Sequence, residues 1–443
     1  MRIIIVGGGE IGFQLARELT STHDVIVIED DLEAASRFAS LDLQVIHGNP
    51  THPGMLRAAH LKETDTFIAC SSSDELNLIA CLAAKQVSGA QTFCFVSKEA
   101  YYNSFTSFDG EEPVLAIDRI IWPQHMMASE IARIVLIPRA IDVEFFAGGR
   151  VWLLEYRLRE TSPLLGRPLA ELNLPKGVLA VAVTTGEQLS IPMGSTRLQS
   201  GDKVVFMGKE KSLLRLQQDF IPDTNRKVRD VTILGGGTVG LAIAKLLQHR
   251  NDLRVKIIEK SAERCKTLAV ELPSALVLHG DGTDLELLEA EQINRTDVLV
   301  SVTTNDEKNL LASLLAKQMK IPKIITRVDK PSNLRLFESV SIDVPLNMHV
   351  TAMQTVVNAL QKTSIHLLTT VEQGKGDVLE LVVPDSFHTT KLKHMPRIEG
   401  AIIGAIIRNN RTIVPYGEDV VKAGDHLFIV CTEEARQAVR QYF

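Results

Sequence analysis

Few folds accommodate the opening of this chain, in which Ile3-Ile4-Ile5-Val6 runs straight into Gly7-x-Gly9-x-x-Gly12 and then into a segment with apolar residues at helical spacing (Ile11, Leu15, Leu19). A continuous apolar run is how a parallel strand buried on both faces reads. The glycines that follow have separate tasks: a tight turn, close approach of backbone to a pyrophosphate, and close packing of helix on strand. The helix start adds free N–H groups, those of Glu10 and Ile11 included, and a partial positive charge for phosphates. A second apolar run, Val25-Ile26-Val27-Ile28, ends in Glu29, 22 residues after Gly7. A Rossmann unit places there the carboxylate that holds ribose hydroxyls.

The pattern then returns. Val231-Thr232-Ile233-Leu234 leads into Gly235-x-Gly237-Thr238-Val239-Gly240, 228 residues on, and Val255–Ile258 ends in Glu259. Val45-Ile46-His47-Gly48-Asn49 is answered by Val277-Leu278-His279-Gly280-Asp281, and residues 69–86 match 301–318 without a gap at nine of eighteen positions. A period this long means two tandem copies of a βαβ-based domain, not a solenoid. Within each copy apolar strands alternate with helices, so the expected fold is α/β: a doubly wound parallel sheet, twice. Strands are expected near 2–7, 24–29, 43–48, 65–71 and 92–97, with the sheet finishing around 115–121. Apolar helical stretches at 126–135 and from about Met348 to Leu360 close each copy and pack either on their own lobe or on its neighbour.

A different texture follows each copy. Residues 141–220 and 367–443 are β-rich and share Ile191-Pro192-x-Gly194 with Val414-Pro415-x-Gly417, and Gly201-Asp202 with Gly424-Asp425. The expected units are 1–135 and 228–362 (Rossmann-like), each followed by a small β-rich α+β domain, 136–222 and 363–443, with a polar linker near 221–229.

With 443 residues, 45% hydrophobic and 23% charged, the chain has material for several packed cores. A net charge of −6 without any basic block argues against nucleic acid. The five cysteines show no CxxC spacing, and three lie in apolar segments, so buried free thiols of a reducing compartment are expected. No apolar run approaches the roughly 18–20 residues of a membrane span, and β-structure from the first residues leaves no room for a signal peptide. The expectation is a soluble protein.

The acids after the second strands disfavour a 2′-phosphate, which points to NAD(H) or an adenine nucleotide. The candidate sites are Gly7, Gly9, Glu10, Ile11, Gly12, Glu29 and Asn49 in the first half, and Gly235, Gly237, Thr238, Val239, Gly240, Glu259, Asp281 and Arg327 in the second. Asn49 carries no charge where Asp281 does, and Phe95 stands where the second half has Arg327, so the two sites should differ. Arg327 suits either a phosphate or a surface ion pair. His47 and His279 read as loop histidines satisfied by backbone, and Asp74 and Asp306 as helix caps. Hydride transfer would need a substrate domain supplying an acid or base, and no Ser/His/Asp, metal-ligand or paired-carboxylate constellation is legible in the small β-rich domains. Nucleotide sensing is indicated; catalysis is not.

The tandem glycine motifs, the HG(D/N)xT segment, the Asp-Glu-x-Asn helix start and the IP-x-G…GD β-domain together resemble the TrkA family, regulatory subunits of bacterial Trk potassium-uptake systems built from paired RCK (KTN) domains. The likeness covers essentially the whole chain. It implies a peripheral protein on the cytoplasmic face of the inner membrane, assembled as a homotetrameric ring and docked on a TrkH- or TrkG-like potassium-translocating subunit. It also implies that NAD(H) and ATP or ADP act as regulatory ligands. An NAD-dependent dehydrogenase, or a Ktr-type regulator of another potassium channel or transporter, is the alternative; the duplication within one chain favours Trk.

Overall fold

The structure, a computed structural model, describes residues 2–62, 65–105, 116–221, 228–360 and 365–443. The central part of the expected linker, 222–227, lies outside the described residues, as does residue 115 at the start of the expected last strand.

The first half opens with β1 (Arg2–Val6), α1 (Glu10–Leu19), β2 (Asp24–Glu29), α2 (Leu32–Ser36), β3 (Gln44–His47), α3 (Pro53–Ala58), β4 (Thr66–Ala69), α4 (Asp74–Ser88), β5 (Gln91–Phe95), α5 (Glu99–Phe105), β6 (Arg119–Ile121) and α6 (Pro123–Leu136). The sheet is parallel in the order β3-β2-β1-β4-β5-β6. Chain order reverses between β1 and β4, the switch point where open α/β sheets bind ligands. Local chemistry sets the element ends. Ser73 caps α4 by accepting the Leu76 N–H at 3.2 Å, and Gly89 ends it at φ +71°. Pro123 opens α6, where its missing N–H costs nothing.

A small domain follows: β7 (Ala140–Phe146), β8 (Val151–Arg157), β9 (Val178–Thr185), β10 (Gln188–Ser190), β11 (Lys203–Gly208) and α7 (Glu210–Phe220). Its sheet is antiparallel in the order β10-β9-β11-β8-β7. The second half repeats the plan with β12 (Asp230–Leu234), α8 (Thr238–Gln248), β13 (Arg254–Glu259), α9 (Ala262–Glu271), β14 (Leu276–His279), α10 (Leu285–Ala290), β15 (Val298–Ser301), α11 (Asp306–Gln318), β16 (Lys323–Arg327), α12 (Leu334–Ser339), β17 (Val344–Leu346) and α13 (Met348–Leu360). Its parallel order is β14-β13-β12-β15-β16-β17. The last domain comprises β18 (Ile365–Val371), β19 (Gly376–Val382), β20 (Thr390–Lys391), β21 (Ala401–Arg408), β22 (Arg411–Ile413), β23 (Val420–Val421), β24 (His426–Thr432) and α14 (Arg436–Tyr442). Its main sheet runs β18-β19-β24-β21-β22, the same arrangement as in the first small domain, and β20 and β23 pair separately.

The halves interlock. Ala352, Val356 and Leu360 of α13 share a core with Ile3, Ile5, Leu15 and Phe38 of the first lobe. Met127, Ile131 and Val135 of α6 join a core with Val239, Ile243 and Leu247 of the second. Of the two packings open to these helices, the neighbouring lobe is the one found. The small domains meet face to face, with Leu153, Val181 and Met207 against Val378, Ala405 and Phe428. Gly404 permits that approach, since a Cβ there would stand 2.6 Å from Met207 Sδ.

Candidate functional site

Each phosphate loop is shaped by glycines with distinct tasks. Gly7 and Gly235 lie at φ +108° and +105°, a region costly for other residues. A Cβ on Gly12 would fall 1.9 Å from the Gly7 carbonyl oxygen, and one on Gly240 the same distance from that of Gly235. These glycines set the helix directly on its strand. A Cβ on Gly9 or Gly237 would meet nothing within 4 Å, so this side of the turn is open to a ligand. Gly9 and Gly237 precede α1 and α8 without any side-chain cap. The first intrahelical bonds are Phe13 N–H to Gly9 at 3.0 Å and Leu241 N–H to Gly237 at 2.9 Å. The N–H groups of Glu10, Ile11 and Gly12, and of Thr238, Val239 and Gly240, precede them, an arrangement that suits phosphate oxygens.

Glu29 and Glu259 reach back to the loops. Glu29 Oε2 accepts the Gly8 N–H, and its Oε1 accepts those of Asp30 at 2.8 Å and Asp31 at 2.9 Å. Glu259 accepts from Gly236 at 2.7 Å and Ser261 at 2.8 Å. Carboxylates have about four acceptor positions, so each keeps capacity for a ribose hydroxyl while backbone donors fix its direction. The middle glycines, Gly8 and Gly236, were not legible as site residues. A Cβ on Gly8 would crowd Glu29 Oε2 at 2.9 Å, and one on Gly236 would crowd Glu259 Oε2 at 3.0 Å. The Gly-Gly-Gly run in both halves was the available signal.

Asn49 and Asp281 make the same local turn. Asn49 Oδ1 accepts from Thr51 N–H at 2.9 Å and its hydroxyl at 2.7 Å; Asp281 Oδ1 does so from Thr283 at 3.1 and 2.7 Å. Asp281 also takes Lys260 at 3.1 Å and Lys308 at 3.5 Å. The Thr283 and Lys260 hydrogen bonds hold its carboxyl well below the usual range. Arg327 is 9% exposed and forms a largely buried ion pair with Asp329 at 2.6 Å. Phe95 is its counterpart in the first half.

Asp74 and Asp306 are not the caps they were expected to be; Ser73 and Asn305 do that work. The Asp74 carboxylate instead accepts the N–H groups of Ser97 at 2.9 Å and Lys98 at 3.0 Å, and Asp306 those of Asp329 and Lys330 at 2.7 and 3.2 Å. Each aspartate ties its helix start to the loop after the next strand. Asn77 and Asn309 clamp the same corner: their amides donate to the Phe95 and Arg327 carbonyls at 2.9 and 3.0 Å. His279 Nε2 lies 3.1 Å from the Lys260 carbonyl, a backbone contact as expected for this residue. Arg37 and Arg264, absent from the expected set, donate to the Gly8 and Gly236 carbonyls at 3.2 and 2.9 Å.

The start of α1 borders the seam between the lobes. A cavity of about 690 Å³ there is lined by Glu10, Gln14 and Arg17 of α1 and by Asp329, Lys330 and His349 of the second half. Across the same seam Lys245 of α8 reaches Glu99 at 3.2 Å. Among the described residues no group of three His, Cys, Asp or Glu side chains is placed to hold a metal.

Fold and loops together define a duplicated Rossmann-type α/β protein with a phosphate-loop geometry in each half. Family models for the TrkA-N domain match residues 3–120 and 231–348, and those for the TrkA-C domain match 153–220 and 378–443. The chain belongs to the TrkA family. It is 36% identical over 444 residues to a Trk system potassium uptake protein TrkA homolog of Archaeoglobus fulgidus, covering all of both chains. It is 34% identical to TrkA homolog 1 of Methanosarcina mazei, again over 100% of each, and 28% identical to TrkA of Halomonas elongata, over 98% of this chain and 97% of that one. Among solved structures, the GsuK RCK domain superposes with a TM-score of 0.64 at 18% identity, covering 100% of this chain and 94% of that one. The GsuK channel bound to NAD gives 0.64 at 18%, covering 100% and 78%.

Proposed function

We propose that this chain is a nucleotide-sensing regulatory subunit that gates a Trk-type potassium-uptake transporter. The observation that carries this reading is the paired loop geometry: an uncapped helix start, a second glycine open to solvent and a glutamate anchored on the loop backbone, present in both halves. The proposed ligands are NAD(H) and ATP or ADP, which share an adenosine handle; GsuK, alike in fold, has been solved bound to NAD and bound to ADP. The pyrophosphate lies on Gly7, Gly9, Glu10, Ile11 and Gly12, or on Gly235, Gly237, Thr238, Val239 and Gly240, and the ribose on Glu29 or Glu259. Asn49, Asp281 and Arg327 line the rims. No catalytic step is assigned to the chain.

The four units, 1–135, 136–222, 228–362 and 363–443, are the working parts: two sensing lobes, interlocked through α6 and α13, and two small domains. The chain assembles as a tetrameric ring and docks on a TrkH- or TrkG-like subunit at the cytoplasmic face of the inner membrane. Among the described residues no helix is long and apolar enough to cross a membrane, so the translocating partner supplies the pore. A ligand shifts such an assembly only by binding one conformation more tightly than another. In thermal-shift titrations with NADH and with ATP, Glu29→Ala and Glu259→Ala should each lose part of the wild-type shift. Unchanged shifts in both would refute the site assignment. Potassium flux with the co-expressed transporter, with and without each nucleotide, tests the gating.

A further inference from the structure

Glu155 on β8 of the first small domain and Glu372 in the turn after β18 of the second meet beside a cavity of about 610 Å³ that lies apart from both nucleotide clefts. The Glu155 residue and the Glu372 side chain are each only 7% exposed. Each carboxyl keeps one oxygen, Glu155 Oε1 and Glu372 Oε2, buried out of reach of solvent and without a hydrogen-bond partner. The two carboxyls nevertheless stand within hydrogen-bond reach of each other. Ionised carboxylates are acceptors only, so no bond forms between them until one carries a proton. Buried polar atoms are almost always partnered, and a proton is the one ligand that fits between these two groups.

The charges around the pair favour keeping that proton. Asp142 and Glu144 come from β7, Glu130 and Arg133 from α6, Arg157 from β8, Lys203 from β11, Glu338 from α12 and Asp343 from just before β17; His125 of α6 lines the same cavity. Seven carboxyl groups thus stand against three permanently charged cations. Arg133 is engaged by Glu144 at 3.1 Å, and Arg157 is exposed, where solvent screens its charge. Lys203 sits on Glu372 Oε1 at 2.5 Å and lies 3.9 Å from Glu338. The lysine keeps Glu372 ionised and leaves Glu155 to carry the proton. Burial, then the charges of Glu372 and Asp142, push the Glu155 carboxyl well above its ordinary range. We propose that Glu155 and Glu372 share one proton across the contact between the small domains, forming a latch that weakens as the proton leaves. Because the two residues belong to different halves of the chain, deprotonation sets two carboxylates against each other across that contact.

The test uses the full chain without nucleotide at constant ionic strength, and follows urea unfolding and infrared spectra from pH 6 to 10. Above the ordinary carboxyl range the folded chain holds a proton at the pair that the unfolded chain has released. Wild-type stability therefore falls as pH rises towards the point of release, by at most about tenfold in the folding equilibrium per pH unit. Glu155→Gln places an amide N–H where the proton was, so it should lose that fall and gain on the wild type towards alkaline pH. The difference between variant and wild type is the readout, because Glu144 and Lys323 titrate in the same range. In the infrared, Glu155→Gln should lack one protonated-carboxyl C=O band that the wild type shows near neutral pH. Glu372→Gln separates sharing from burial. Its amide can donate to an ionised Glu155, so a shared proton goes with the substitution, whereas a Glu155 protonated by burial alone would keep its band. Equal pH slopes in wild type and Glu155→Gln would overturn the proposal, as would persistence in Glu372→Gln of the band that Glu155→Gln removes.

Discussion

Two glycines of one motif, Gly12 and Gly9, differ in their sensitivity to a methyl group. On Gly12 it would lie 1.9 Å from a backbone oxygen, a clash that only separation of α1 from β1 relieves. Gly12→Ala should therefore cost at least about 3 kcal/mol of stability. Gly9 has ordinary extended backbone, φ −64° and ψ −177°, with open space where the methyl would go. Gly9→Ala should leave unfolding within about 0.5 kcal/mol of wild type yet abolish nucleotide binding at the first cleft, because the methyl occupies the ligand's approach. Urea denaturation and calorimetry separate the two outcomes; a stable Gly9→Ala that binds normally would show that no ligand passes there. Much of the cleft was legible because the glycine spacing and the acid at the end of β2 lie within one local unit. The clamps were less so. Asn77, Arg37 and Asp74 act on backbone groups far along the chain, and only the folded sheet brings Phe95, Gly8 and Ser97 to them.

At the scale of elements, α6 and α13 are the parts the sequence left undecided. A helix with an apolar face must cover it, but the pattern is the same whichever lobe does so. Strand order, by contrast, follows from the βαβ repeat; the first five expected strands and Met348–Leu360 agree with the structure to within two residues or so, whereas the last, expected around 115–121, is confined to Arg119–Ile121 among the described residues. One side chain fastens the exchange: Lys323 of β16, 3% exposed, donates to the carbonyls of Ile134 and Ile137 at 2.6 and 2.9 Å, holding the end of α6 against the second lobe. Burial pushes its pKa down to about 7, against the opposing pull of Asp343. Between about 7 and the ordinary 10.5 the unfolded chain holds a proton there that the folded chain does not. Stability from this group therefore rises with pH across that window, by at most about 1.4 kcal/mol per unit. Lys323→Met should remove that rise from urea midpoints measured at pH 7 to 10; an unchanged slope would mean that the lysine stays charged. The exchange also predicts the behaviour of an isolated half. Residues 1–221 alone would expose the apolar faces of α1 and α6, and because the halves are repeats, a second copy offers the matching faces. Light scattering should find a dimer, and a stable native-like monomer would contradict the interlocked core.

For the molecule as a whole, the informative fact is that the duplicated clefts are unequal. The second has Lys260, Lys308 and Arg327 at its rim, with Asp281 and Asp329 as their partners; the first has Asp30, Asn49, Leu76 and Phe95 at the corresponding positions. The second rim is the more positive, and a ligand with more phosphate charge gains more there. ATP should thus bind in two calorimetric phases, the tighter belonging to the second half, while NADH should discriminate less between them. Exposed ion pairs are weak and screened by salt, so the gap between the ATP phases should narrow as KCl rises. Glu259→Ala should delete the tight phase and Glu29→Ala the weak one. Any coupling between the clefts through the seam is reciprocal: if filling one changes the affinity of the other, the reverse holds by the same factor. A single ATP phase of two equal sites, insensitive to salt, would show that the rim charges do not reach the ligand, and that the asymmetry of this chain serves something other than nucleotide choice.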